Sequence, residues 1–224
     1  MKLNFSPSLM CADQLNIQHD LDILVTNGFE MIHLDVMDLH FVPNLTLGFD
    51  IVNKLMAFPF VRDIHLMVDK LEIALERLDT RTSDLITFHI EAVNDVNRII
   101  NMIKAKGARP GISINPETPV EKIFPYLTSV DMVLLMSIHP GFSGQSFIED
   151  AYSRAEELVT KLKEIKKELY ISVDGGIGFE QIKKFSTIGA NTFVLGTKSL
   201  FKKETSLTEN IKRFREFEAT LLYF

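Results

Sequence analysis

The sequence predicts an α/β protein, a single (β/α)8 TIM barrel spanning residues 1–224, and three observations carry that expectation. Short apolar and β-branched runs alternate with longer amphipathic stretches, eight of each. Buried parallel strands read as such runs, and the strand–helix rhythm builds a parallel sheet. Chemistry-bearing residues gather at the ends of several runs, where barrels of this class keep their sites. No linker and no low-complexity segment breaks the chain. An open doubly wound sheet is the alternative, but no G-x-G-x-x-G follows the first strand.

The elements follow in order. The first strand is expected over residues 3–8, and Asp13 or Asn16 can cap a helix through about 25, which Asn27-Gly28 ends. Strand two is 31–36, followed by a loop with Pro43 and a short helix near 49–56. Strand three is 61–67 with a helix at 70–78, and strand four is 85–90 with a helix at 93–106 closed by Gly107. Strand five is 110–114, and a helix starts near Pro119, a residue favoured in the first turn. Strand six is 132–137; a glycine-rich loop, 139–145, leads to a long helix ending near 167. Strand seven is 169–173 with a helix at 179–188, and strand eight is 192–195 with a last helix at 207–220.

Composition excludes several classes of function. A net charge of −6 argues against an extended nucleic-acid surface, which needs a basic face. No apolar run approaches the roughly 20 residues that span a bilayer, and the apolar part of MKLNFSPSLMCADQ is too short for a signal peptide. The single cysteine, Cys11, allows no internal disulfide and fits a reducing cytoplasm; it reads as a packed thiol near a strand end.

The most informative stretch is MIHLDVMDLHFVPNLTL, 31–47. Alternation along a strand puts His33 and Asp35 on one face and Ile32, Leu34 and Val36 on the other. A buried His and Asp suit a divalent cation; the alternative is a strand-end pair hydrogen-bonded to each other. His65 near the end of strand three and Asp174, just before Gly175-Gly176, complete a candidate four-ligand set; spacing alone does not show that they converge, but a barrel would bring them together. Glycine clusters lie after strands six, seven and eight: Gly141 and Gly144, Gly175-Gly176, and Gly196-Thr197. Glycine lets backbone N–H groups approach an anion, and the last βα loops of such barrels often hold a phosphate.

With these residues in place, the chain resembles the ribulose-phosphate 3-epimerase family along nearly its whole length. The matching segments are SPSLMCAD, HLDVMDLHFVPN, DIHLMV, TFHIEA, NPETP, MSIHPGFSGQSF, VDGGI and LGTKSLF. Within it, SPSLMC, NLTL, NPETPVE and the last Gly-Thr look closer to the allulose-6-phosphate 3-epimerases than to the pentose enzymes. The resemblance implies one divalent metal (Zn2+, Fe2+, Co2+ or Mn2+) on His33, Asp35, His65 and Asp174, with Asp35 and Asp174 as an acid/base pair that inverts C3 of a 2-ketose phosphate through an enediolate. Ser8 and His65 would touch the substrate. Gly141, Phe142, Ser143, Gly144, Gly175, Gly176, Gly196 and Thr197 would hold its phosphate end. Met37, Met67 and Met136 match methionines lining the family's reaction centre, core packing being the alternative. Both ligand imidazoles would be neutral, the second ring nitrogen held by a partner; Glu91, after His89 on strand four, is a candidate for that shell. The resemblance also implies a cytoplasmic homo-oligomer, dimer or hexamer, with no nucleic-acid or membrane partner.

Three positions depart from the family pattern. Leu39 stands where a Gly is usual; Leu resists φ > 0, so the loop either differs or never needed a glycine. His139 replaces an acidic or amide residue before Pro-Gly-Phe, and Lys198 is atypical. Two other readings compete: a lyase or decarboxylase on a related barrel, whose sites usually want a Lys among the carboxylates, and a non-catalytic sugar-phosphate sensor, which need not keep both acids.

Overall fold

A computed structural model describes residues 2–221. Among them, eight strands form one parallel sheet: β1 (Asn4–Pro7), β2 (Met31–Met37), β3 (Val61–Met67), β4 (Leu85–His89), β5 (Arg109–Ile114), β6 (Met132–Met136), β7 (Tyr170–Asp174) and β8 (Thr192–Leu195). The sheet runs β1-β8-β7-β6-β5-β4-β3-β2. It closes at a single parallel bridge from Ser8 to His33, so the seam of the barrel passes through the candidate site. The helices are α1 (Ile17–Thr26), α2 (Phe49–Lys54), α3 (Leu71–Arg77), α4 (Val96–Ala105), α5 (Ala151–Glu164), α6 (Phe179–Ile188) and α7 (Leu207–Leu221). None is long and apolar enough to cross a membrane.

The helix expected after strand five is instead a 3-10 helix, Val120–Tyr126, with Pro125 inside it. Proline supplies no N–H and crowds the carbonyl four residues back, so an α-helix cannot propagate there. The helix after β4 starts late. A 3-10 turn, Ile90–Ala92, comes first, and Asp95 then caps α4 by accepting from the Arg98 N–H at 3.0 Å. Strand β7 is shifted by one residue from its expected range, which places Asp174 on the strand.

The main apolar core lies between barrel and helices; Ile32, Leu34 and Val36 of β2 and Ile64 and Leu66 of β3 belong to it. The barrel interior differs. Met31, Leu85 and Met132 plug its N-terminal end, and Met37, Val42 and Met67 pack together near the C-terminal end. Between them the side of the interior formed by β1 to β4 is polar, with Ser6, His33, Asp63, His65, Thr87 and His89 all fully buried, while Leu134 and Val194 on β6 and β8 keep the opposite side apolar. Barrels of this class usually fill that space with branched apolar side chains. Burying so many polar groups is unfavourable unless they satisfy one another.

Candidate active site

The register of β2 on β3 sets the site. His33 lies beside Asp63 and Asp35 beside His65, so each strand presents one imidazole and one carboxylate in opposite order. His33 Nε2 is 3.2 Å from Asp35 Oδ1 and 3.9 Å from Asp174 Oδ2, and His65 Nδ1 is 3.3 Å from the same Asp35 oxygen. One donor atom from each of His33, Asp35, His65 and Asp174 lies within 4.8 Å of all the others. Ligands about 2.1 Å from a cation at tetrahedral angles stand about 3.4 Å apart, so the quartet fits a divalent ion. His33 and Asp35 do contact each other, as the simpler reading of the sequence has it, but within this larger cluster.

The second ring nitrogen of each imidazole and the second Asp35 oxygen are held. His33 Nδ1 is 2.7 Å from Asp63 Oδ2, which also accepts from Ser6 Oγ at 3.2 Å. His65 Nε2 is 2.8 Å from His89 Nε2, and the two rings stack at 5.0 Å. Ser8 Oγ donates to Asp35 Oδ2 at 2.8 Å. Asp63 and His89 went unnoticed as ligand partners in the sequence, although a signal existed. Both continue a period-2 row of polar residues, Asp63/His65 and Thr87/His89, on strands whose other residues are apolar except Arg62.

Electrostatics separates the two carboxylates at the pocket. Burial would raise Asp35, but His33 and His65 outweigh it and hold the carboxyl well below the usual range. Burial pushes Asp174 up to about 7; His33 opposes this, while Asp35 and Asp63 reinforce it. Burial would depress His33, but Asp35 and Asp63 overcome that and hold it well above its ordinary value. A cation among these carboxylates would take over that neutralising role and leave the imidazole neutral, as ligation requires. Burial holds His65 down. Burial raises the Cys11 thiol to about 11, so a thiolate is not on offer at this pocket wall.

Asp35 and Asp174 reach the floor of a pocket of about 520 Å3, its open mouth included. Ser8 and the three methionines, Met37, Met67 and Met136, line its inner part, whereas His33 and His65 lie behind the carboxylates, out of its wall. Gly141, Phe142, Ser143 and Gly144 form one side of the mouth, and Phe142 is half exposed. Gly175, Gly176, Gly196 and Thr197 form the other. At Gly175, φ is +111° and a Cβ would sit 2.4 Å from Ile138 Cγ1 and 2.9 Å from the Ile138 nitrogen. Only glycine lets the backbone approach there.

The three departures resolve differently. Leu39 itself adopts φ 64°, so the loop keeps a left-handed residue without a glycine. It is held by a hydrogen bond from its N–H to the Asn44 carbonyl at 3.0 Å and by Asp38, which accepts from the backbone of His40, Phe41 and Asp69. His139 is exposed, 3.1 Å from Glu117 Oε1, and Ile138 and Pro140 on either side of it line the pocket while His139 does not. Lys198 is exposed and stands at the pocket's edge.

The profile of the ribulose-phosphate 3 epimerase family matches residues 4–201. The chain belongs to that family. Ribulose-phosphate 3-epimerase of Treponema pallidum is 40% identical over 195 residues, covering 86% of this chain and 88% of its own. The Buchnera aphidicola enzyme from Acyrthosiphon pisum is 34% identical over 203 residues, covering 90% and 89%. The rice enzyme, named a cytoplasmic isoform, is 38% identical over 200 residues, covering 86% and 85%. Among solved structures, KGPDC from Streptococcus mutans superposes with a TM-score of 0.62 at 14% identity, covering 99% of each chain. A native KDPGal structure gives 0.65 at 10% identity, covering 100% and 98%. These two likenesses show the shared barrel alone. As a member of the ribulose-phosphate 3-epimerase family, the chain is an isomerase acting on carbohydrate phosphates.

Proposed function

We propose that this protein inverts C3 of a 2-ketose phosphate by two-base proton transfer, with Asp35 and Asp174 as the acid/base pair. The observation that carries the reading is the split between these carboxylates: both reach the pocket floor, one held ionised, the other pushed up to about 7. Paired titratable groups with separated proton affinities mark an acid and a base. A divalent cation held by His33, Asp35, His65 and Asp174 would stabilise the negative charge that grows on the substrate oxygens.

In one direction Asp35, oriented by Ser8 Oγ, takes the C3 proton, and Asp174 returns one to the opposite face. In the other direction the roles exchange. Asp35 on β2 and Asp174 on β7 approach from different sides of the barrel, which inversion needs. Met37, Met67 and Met136 form an apolar wall that keeps water from the carbanionic carbon. The backbone N–H groups of Gly175, Gly176, Gly196 and Thr197 bind the phosphate end, and Lys198 at the rim adds positive charge.

Ribulose 5-phosphate is the substrate that the relatives' names support; allulose 6-phosphate is the one that SPSLMC, NLTL and NPETPVE support. Each ketose phosphate, incubated with the protein in D2O, is expected to gain deuterium at C3, and kcat/KM measured side by side ranks the two. No C3 exchange with either would overturn the epimerase reading in favour of a sensor. Loss of a carbon would favour the lyase or decarboxylase. Zn2+, Fe2+, Co2+ and Mn2+ all suit two imidazoles and two carboxylates, and metal analysis of the purified protein decides among them. A cytoplasmic homo-oligomer, dimer or hexamer, completes the proposal; light scattering reads the oligomer.

A further inference from the structure

A buried titratable group beside the site has no part in the proposed reaction. His89, at the C-terminal end of β4, is fully buried between His65 and Phe41, whose rings lie 5.0 and 4.8 Å away. Its Nε2 faces His65 Nε2 at 2.8 Å. Its Nδ1 lies 3.3 Å from Glu91 Oε2, off the line of an ideal hydrogen bond, and has no better partner. The Asn115 side chain also neighbours the ring, and its Oδ1 lacks a partner. The other Glu91 oxygen accepts from Thr118 Oγ1 and from the Asn115 N–H, the latter at 2.9 Å. Arg154 fixes that loop from behind by donating to the carbonyls of Met136, Asn115 and Thr118.

These contacts form a row: Asp35, His65, His89, Glu91. It has three gaps. The end carboxylates can only accept, and each neutral imidazole supplies one N–H. Both imidazoles are fully buried, and the 2.8 Å between their facing Nε2 atoms has room for one proton, not two. Two protons therefore serve three gaps, and one gap must be filled by another positive group. The ligand quartet places a cation at the Asp35 end. The protons then belong in the other two gaps.

We propose that Glu91, acting through His89, directs the His65 proton to Nε2 and so leaves the Nδ1 lone pair for the cation. The two are positioning residues; neither touches substrate. Glu91 accepts from His89 Nδ1–H, His89 Nε2 accepts from His65 Nε2–H, and His65 Nδ1 faces the cation beside Asp35. This inference rests on the metal reading of the quartet.

The test is Glu91→Gln. Thr118 and the Asn115 N–H are donors, so they keep the amide oxygen, and the NH2 turns to His89 Nδ1. That NH2 fills the third gap. The imidazole protons then move one place along the row, and His65 Nδ1–H pairs with Asp35 where the cation belongs. Zn2+ affinity, measured by chelator competition, is expected to fall roughly 10- to 100-fold, the usual effect of losing such a partner. In the Zn2+-loaded wild type, 15N–1H correlation spectra are expected to show His65 protonated on Nε2 and His89 on Nδ1. His89→Gln, which can accept from His65 and donate to Glu91, is expected to retain affinity within a few-fold, and His89→Phe to lose it. In the His89→Phe background Glu91→Gln should add little, because its path to the metal is cut. Should Glu91→Gln fail to fold, the contrast between the two His89 variants decides. Equal Zn2+ affinity for wild type and Glu91→Gln, or for the two His89 variants, would overturn the relay alone. A wild type that binds no Zn2+, Fe2+, Co2+ or Mn2+ would overturn the metal reading with it.

Discussion

Asp35 and Asp174 are the same side chain with opposite protonation behaviour, and neighbours make the difference. Two imidazoles hold Asp35 ionised; burial beside Asp35 and Asp63 pushes Asp174 to about 7. Asp35→Asn and Asp174→Asn are each expected to lower kcat by roughly 10²- to 10⁴-fold, the usual contribution of a positioned acid or base. Wild-type turnover in either variant would remove the two-base assignment. Leu39 makes a different prediction. A left-handed L-residue costs about 1 to 2 kcal/mol, and glycine recovers this less about 0.5 to 1 kcal/mol of chain entropy. The side chain is 59% exposed, so little burial is lost. Leu39→Gly should raise stability by up to about 1 kcal/mol in urea unfolding. The sequence exposed the unusual residue, but not whether the backbone had kept the left-handed turn.

At the scale of elements, period-2 polar residues on strands that should be wholly apolar are the most readable signal. His33/Asp35, Asp63/His65, Thr87/His89 and Ser172/Asp174 form it on β2, β3, β4 and β7. The helices were harder to delimit, because hydrophobic period says little about where a helix begins. Asp95 shows this at α4. The cap, and not the apolar pattern, sets the start, and Asp95→Ala should cost about 1 kcal/mol of stability. The turn after β7 is equally specific. Gly175→Ala would drive a Cβ into Ile138 and push the backbone away from the pocket, and KM for the ketose phosphate should rise more than kcat falls. The stretch after β5 read as a helix from its pattern, yet Pro125 limits it to 3-10 geometry.

Across the whole molecule, the polar interior couples stability to pH and to metal. Burial would raise Glu91, but His89, Thr118 and the Asn115 N–H hold it at about 2, below its ordinary 4.5. Burial holds His89 at about 4, below 6.5. In both cases the unfolded chain binds the proton more tightly, so unfolding takes up protons. Their stabilisation is complete above about pH 6.5, declines as His89 titrates toward 4, and is lost as Glu91 follows toward 2. Urea midpoints should fall across that window, and less steeply in Glu91→Gln. Metal acts in the opposite sense: a cation bound only by the folded state at 100 times its Kd adds about 2.7 kcal/mol, so chelation should lower Tm and abolish epimerisation.

The sequence by itself determined the barrel, the four candidate ligands and the glycine loops, because strand rhythm, residue type and motif order are local properties of the chain. Only the tertiary structure decided how those residues serve one another. Neighbouring strands set His33 against Asp63 and His65 against His89, and closure at Ser8 brings Asp35 under a hydroxyl from β1's end. Proton affinities and tautomers depend on atoms a few ångströms away across strands, and no spacing along the chain encodes those distances.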